Sequence, residues 1–365
     1  MKIVSQILSK KVNFKGLEAQ PLQAIYVQGD SLLGGIALYE ELNAIAQKHK
    51  IHVMRSSYCT PWVQDGVTFT PDGRVLSANE RAGEFFSRRH NLQYDKKSEP
   101  NDEKKLHHIS GGNLFFVTNK DGKRVALTAE EYDKTCKIRG MEEFYNVDKI
   151  IELPRADFHV DLFLTPIGDN KIFVADDNMT LHYMMVMIEK ITEYIENNPD
   201  DRDNEHLKEV AKNIFNEMMR FFESKKSYMV DGGYDAAADI LSKEGFEVIR
   251  VPSVVYESFE DANNKKTRIK HKLNYSNAIT YKNDDNEVIY ITGKSELDKQ
   301  LGINEIFNKK IGMNFEKMFT EAIYPYVKPE NIYFVNGDKY RPVSEMLYDY
   351  LGGLHCMCAE VPKID

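Results

Sequence analysis

NLFFVTNKDGKRVALT, residues 113–128, holds an Asp121-Gly122 pair between two runs rich in apolar and β-branched side chains. Asp-Gly favours the positive backbone angles of a tight hairpin turn, so the stretch predicts two antiparallel strands. The same unit recurs. DGVTFTPDGRVLSA from Asp65 carries Asp72-Gly73, HVDLFLTPIGDNKIFVA from His159 carries Gly168-Asp169-Asn170, and NYSNAITYKNDDNEVIYITG from Asn274 is a fourth copy. Each opens with a polar residue. The openings at 65, 113, 159 and 277 are unevenly spaced, so inserted helices must interrupt the later copies.

Between the hairpins lie helical patterns: ALYEELNAIAQKHK from Ala37, TLHYMMVMIEKITEYIE from Thr180, EHLKEVAKNIFNEMMRFFESK from Glu205 and FEKMFTEAIYPYV from Phe315. Thr180 and Asp235 read as N-caps. The segment DAAADILSKEG reads as a helix closed by Gly245 and feeding the strand FEVIRVP. The chain is therefore α/β. No linker divides it, so residues 1–365 read as one domain with a helical insertion at about 180–235 and charged loops at about 94–108 and 258–273.

Composition narrows the function. Forty-eight basic against 57 acidic side chains give a formal charge of −9, which argues against a nucleic-acid partner and suits a cationic one. No stretch approaches the roughly 18 apolar residues of a membrane span. The opening MKIVSQILSKKVNF lacks a long apolar core and a cleavage site, so a standard secretion signal is not expected. Four cysteines, at 59, 136, 356 and 358, are too few for a disulfide framework. A cytoplasmic location with free thiols is the expectation.

One of those thiols is suited to chemistry. Gly352-Gly353-Leu354-His355-Cys356 follows a helical pattern, and paired glycines permit close backbone approach, so Cys356 can be presented on a turn. A small apolar cysteine in a final core strand is the plainer alternative. Asp157-Phe158-His159-Val160-Asp161 opens the third hairpin. On a strand, positions two apart share a face, so Asp157, His159 and Asp161 would project together as a base with carboxylates or as metal ligands. Trp62-Val63-Gln64-Asp65-Gly66 opens the first hairpin and Ser110-Gly111-Gly112-Asn113 the second. If the repeats close around an axis, residues 65, 113, 159, 161 and 356 line one cavity.

Two carboxylates with a Cys/His pair fit a planar guanidinium, whose fixed N–H donors pair with carboxylate oxygens. Its central carbon is a poor electrophile. Attack calls for a strong nucleophile and a proton donor for the departing nitrogen. Three other readings remain open on these residues: a binuclear manganese ureohydrolase, a papain-like hydrolase, and a module that binds arginine side chains without turnover. The first needs further carboxylates and another histidine, and the chain has no Gly-Gly-Asp-His. The second needs an oxyanion hole rather than two carboxylates facing a cation.

WVQDG, SGGN, HVD and GGLHC, in that order, resemble the guanidino-group-modifying superfamily of arginine, agmatine and peptidylarginine deiminases, amidinotransferases and dimethylarginine hydrolases, and the resemblance covers the chain from about residue 20 to the end. The resemblance implies a five-bladed α/β propeller of pseudo-fivefold repeats. It implies Cys356 as nucleophile, His159 as general acid/base, and Asp65 and Asp161 as carboxylates gripping the guanidinium. Asn113, Trp62 and Gly353 are implied to line the substrate. Arginine and agmatine deiminases usually carry glutamate where this chain has Ser110, and WVQD resembles the peptidylarginine motif, so the resemblance leans to that type. The implied partner is an arginine-type small molecule or an arginine-containing protein. The implied deiminase mechanism requires no metal and no organic cofactor, although calcium activates some peptidylarginine relatives.

Overall fold

The computed structural model describes residues 21–28, 35–57, 62–77, 79–96, 109, 111–129, 141–154, 156, 159–228, 233–253, 257–262, 265–270, 273–336 and 353–363. Five three-stranded sheets and one two-stranded hairpin are found among them. β1 (Leu22–Gln28) and β2 (His52–Ser56) begin the first sheet. The second is β3 (Val67–Phe69), β4 (Arg74–Ser77) and β5 (Gln93–Lys96), and the third β6 (Phe115–Thr118), β7 (Arg124–Ala129) and β8 (Lys149–Leu153). β9 (Leu164–Gly168), β10 (Lys171–Asp176) and β11 (Glu247–Pro252) make the fourth. The separate hairpin is β12 (Glu257–Ala262) and β13 (Lys265–Lys270). β14 (Ala278–Lys282), β15 (Val288–Gly293) and β16 (Ile332–Val335) make the fifth, and β17 (Cys358–Pro362) returns to complete the first.

All five share one topology. A middle strand pairs antiparallel with one neighbour and parallel with the other. The antiparallel pair is the hairpin read from sequence, with left-handed backbone at Gly73, Gly122, Asp169, Asn170 and Asn286 in the turns. The parallel partner requires a crossover, which is helical each time. It is α1 (Gly35–Lys48) in the first sheet, α3 (Glu80–His90) in the second and α4 (Met141–Tyr145) in the third, α2 (Val63–Gly66) being the turn ahead of β3. The fourth crossover is α5 (Asp177–Asn197), α6 (Asn204–Tyr228) and α7 (Gly233–Lys243). In the fifth it is α8 (Leu297–Leu301), α9 (Glu305–Ile311) and α10 (Phe315–Ile323). Middle strands are covered on both faces, which is why Ile172–Ala175 in β10 and Ile289–Thr292 in β15 are continuous buried runs rather than alternating ones.

The first sheet explains why only four copies are legible in the chain. Its hairpin is split between the ends, with β17 antiparallel to β1 in the register Tyr26↔Ala359 and Val27↔Cys358. Other expectations need correction. Helix α5 starts three residues before Thr180, because the Asp176 carboxylate caps it by accepting the Met179 N–H at 3.0 Å. Thr180 instead bonds back to the Asp176 carbonyl within the first turn. Asp235 lies inside the first turn of α7 and pairs with Arg250 at 2.9 Å, the same arginine that reaches Asp176 at 3.3 Å. The stretch expected as a charged loop at 258–273 is mostly the β12–β13 hairpin, whose register sets Glu257 opposite Lys270 and Asp261 opposite Lys266. Of the loop expected at 94–108, residues 94–96 form part of β5 and 97–108 lie outside the described residues. No helix among the described residues is long and apolar enough to cross a membrane.

The fifth sheet is held to its crossover by Phe319, fully buried against Tyr275 and Tyr290 with ring centroids at 4.8 and 5.5 Å. Phe319→Ala leaves a cavity there and is expected to cost about 3–5 kcal/mol, measured by urea unfolding followed by circular dichroism.

Candidate active site

Just before the first strand of every sheet the chain makes a short turn. Helix α2 precedes β3, and single 3₁₀ turns at Gly111–Asn113, Val160–Leu162 and His355–Met357 precede β6, β9 and β17. A bend at 276–277 precedes β14. The turns before β3, β6 and β17 touch one another, and the turn before β6 also touches that before β9. Residues far apart in the chain therefore meet because each stands at the same place in its repeat.

Asp161 sits at the centre and is 1% exposed. Its Oδ2 accepts from His355 Nδ1 at 2.9 Å and from the Cys356 thiol at 3.2 Å. Its Oδ1 is buried with no hydrogen-bond partner among the described residues, an acceptor in place without a donor. Cys356 is 2% exposed. Burial first, then the carboxylates of Asp161 and Asp65, push its thiol well above the ordinary cysteine range, so the resting sulfur is neutral. Two donors are already aimed at it: the Gly353 N–H at 3.5 Å and Asn277 Nδ2 at 3.4 Å.

Asn277 ties the two reactive turns together. Its Nδ2 also donates to the Asp161 carbonyl at 3.1 Å, and its Oδ1 accepts the His355 N–H at 2.7 Å. Any side chain at Gly353 would collide with this amide, which accounts for glycine there. Gly112 is equally constrained. Its N–H donates to Asp65 Oδ1 at 3.0 Å, and a methyl group in its place would come within 2.7 Å of His159 Nδ1, 2.9 Å of Asp65 Oδ1 and 3.3 Å of Asp161 Oδ2. His159 Nδ1 lies 3.9 Å from Asp65 Oδ1. The imidazole and the Cys356 sulfur are therefore no farther apart than 2.7, 3.3 and 3.2 Å laid end to end. Unlike the buried Asp161 and His355, the side chains of His159 and Asp65 keep some exposure, 17% and 31%.

Of the residues singled out from sequence, Cys356, His159, Asp161 and Asp65 are brought together. Gly353 joins them through its N–H. Asn113 is held by its neighbours: its Oδ1 accepts the N–H groups of Ala129 and Val160, both at 3.0 Å, and its Nδ2 donates to the Ala129 carbonyl at 3.1 Å. Through the Val160 N–H it braces the turn that carries His159. Trp62 stands at the start of α2 and packs, partly buried, against the apolar cluster that holds Leu354, Met357 and Cys358. The strand expected at 157–161 is also corrected. His159 is extended but Asp161 lies in a 3₁₀ turn, so the two converge through the turn and not by alternation. Asp157 and Ser110 lie outside the described residues.

Two members of the site, His355 and Asn277, were not singled out from sequence. Asn277 opens the fourth repeat as Asn113 opens the second, and that correspondence is the signal that could have found it. Among the described residues no group of three or more His, Cys, Asp or Glu is arranged to hold a metal ion.

No family model and no curated protein matches the chain. Solved structures do. An X-ray structure provisionally named agmatine deiminase aligns over 97% of this chain and 96% of its own, with a TM-score of 0.50 and 13% identity. The agmatine deiminase of C. jejuni aligns over 95% of each chain, with a TM-score of 0.49 and 16% identity. The DDAH of Pseudomonas aeruginosa, complexed with citrulline, covers 93% of this chain and 99% of its own, with a TM-score of 0.44 and 10% identity. All three carry the names of guanidino-modifying enzymes. At such identities the first of these matches shows a shared fold along nearly the whole chain.

The electrostatics of the thiol are directly testable. Alkylation of Cys356 by iodoacetamide is expected to rise with pH to a midpoint above the ordinary value of about 8.5. Asp161→Asn removes a negative neighbour and is expected to lower that midpoint, as read by mass spectrometry of the modified peptide.

Proposed function

We propose that this chain is a cysteine-dependent deiminase that hydrolyses the guanidinium of an arginine-type substrate to a ureido product and ammonia. The observation that carries the reading is the buried Asp161 carboxylate, which touches the Cys356 thiol with one oxygen and leaves the other without a donor among the described residues. A guanidinium supplies that donor, and its charge suits Asp65, whose carboxylate also lies beside Gly112. We further read the five sheets as the blades of an α/β propeller. The contacts of β6 and β14 with β9, and of β17 with β3, support that reading, as does the closure of the first sheet by both chain ends.

On this reading the arriving cation offsets the two carboxylates that oppose ionisation of the thiol. The thiolate attacks the central carbon, and a C–S bond forms. His159 delivers a proton to the departing nitrogen as the C–N bond breaks and ammonia leaves. Water then adds to the thiouronium carbon while His159 takes one of its protons, and cleavage of the C–S bond returns the thiolate and releases the ureido product. The N–H of Gly353 and the amide of Asn277 hold the sulfur while it is charged. The atoms balance without a metal or an organic cofactor.

Free arginine, agmatine, methylated arginine and arginine-containing peptides distinguish the members of this class. Incubation with each, followed by mass spectrometry, is expected to show a gain of about 1 Da on one of them with equimolar ammonia, consistent with replacement of an imine nitrogen by oxygen. Cys356→Ala is expected to abolish that conversion, a loss of more than about 10⁴-fold. Release of a methylamine, or transfer of the amidino group to an added amine, would assign a different member of the class. Unchanged turnover in Cys356→Ala would remove the nucleophile.

A further inference from the structure

His355 is a buried titratable group that the chemistry above does not use. Its side chain is 2% exposed, its ring lies against Phe115 with centroids 5.2 Å apart, and its main-chain N–H is taken by Asn277. The ring cannot reach bulk water. It spends its Nδ1 on Asp161 Oδ2, the same oxygen that accepts the thiol.

Two donors on one oxygen and, among the described residues, none on the other is an asymmetric way to hold a buried carboxylate. A carboxylate held only by the thiol could rotate about its Cβ–Cγ bond and present either oxygen to sulfur. The imidazole removes that freedom, because Phe115 and the Asn277 contact fix His355 itself. We propose that His355 is a positioning residue, which acts through Asp161 by locking Oδ2 over the Cys356 thiol and keeping Oδ1 for the cation. The proposal rests on the deiminase reading for its purpose, but not for its test. The same hydrogen bond draws charge from Oδ2, so the imidazole also eases ionisation of the sulfur against the carboxylates of Asp161 and Asp65 that surround it together with His159.

Three substitutions separate positioning from space filling. His355→Phe keeps a ring against Phe115 but donates nothing. His355→Asn sets an amide N–H near the place of Nδ1, whereas the longer amide of His355→Gln reaches the place of Nε2 instead. The readout is the pH profile of iodoacetamide alkylation at Cys356 in the full-length protein, which needs no substrate. With His355→Phe and His355→Gln the midpoint is expected to move up and alkylation at pH 8 to slow about ten- to a hundredfold, the range for losing a hydrogen bond to a charged group. His355→Asn is expected to stay within about threefold of the parent protein, the tolerance for a retained bond of altered geometry. In an Asp161→Asn background, His355→Phe is expected to change the rate by less than about twofold, since coupled residues do not add.

An unchanged profile in folded His355→Phe and His355→Gln proteins would overturn the proposal, as would equal slowing with and without the Asp161 carboxylate. If His355→Phe does not fold, the contrast between the asparagine and glutamine variants decides the matter alone. Turnover is scored separately. A parent protein that converts no guanidino compound refutes the deiminase reading, while the thiol profile still judges His355.

Discussion

A negative carboxylate sealed from water is the constraint from which the rest of the site follows. Removing such a charge from solvent costs several kcal/mol unless donors surround it. Asp161 receives the imidazole of His355 and the thiol of Cys356 on one oxygen, while Asn277 holds its carbonyl. The second oxygen receives nothing from the described residues. A fold that stabilises half of a buried carboxylate and leaves the other half bare gives up stability at that point. Such a deficit is what a cation-binding site retains for its ligand, since binding then gains a contact that folding did not satisfy.

How these groups come to meet is a matter of repetition. Each sheet begins where a turn ends, and each turn offers one or two polar residues to the same region: Asp65, Asn113, Asp161, Asn277 and Cys356. Two of the five are asparagines that brace the following turn, Asn113 holding the Val160 N–H and Asn277 holding the His355 N–H. The turns that carry Asp161 and Cys356 are therefore each braced by an asparagine side chain from a neighbouring repeat. Placement of these side chains depends on register within each sheet, and the hairpin turns that set that register lie at the far ends of the same strands.

Local signals were legible in the chain and relational ones were not. Asp-Gly, Gly-Asp-Asn and the Asn286 turn announce four hairpins because turn chemistry acts over four residues. The fifth has no turn, being assembled from Val27 and Cys358 at opposite ends, so no scan along the chain can see it. The four residues brought together at the site were legible through their motifs, although the strand alternation invoked for His159 and Asp161 is not how they converge. The bonds of Asn113 to Ala129 and Val160 are not legible in the chain, because both partners come from other segments. His355 and Asn277 were missed because what they do lies wholly in spatial neighbours. Thr180 as a cap lost to Asp176 because a carboxylate one turn earlier could reach the free N–H of Met179.

The two glycines of the site show what its density costs. Gly112 leaves room for three polar side chains within van der Waals range of a single missing methyl, and Gly353 leaves room for the amide that holds sulfur and carboxylate together. Neither adopts a left-handed backbone, so conformational freedom is not the reason for glycine. Space is the reason. A methyl at Gly112 would collide with His159 and Asp65 and crowd Asp161. Burial first, and then the negative charges of Asp161 and Asp65, push the Cys356 thiol well above the ordinary cysteine range. On the proposed reading a positive ligand offsets both carboxylates and favours the thiolate, so the charges that hold the thiol neutral are the ones a bound cation would counter.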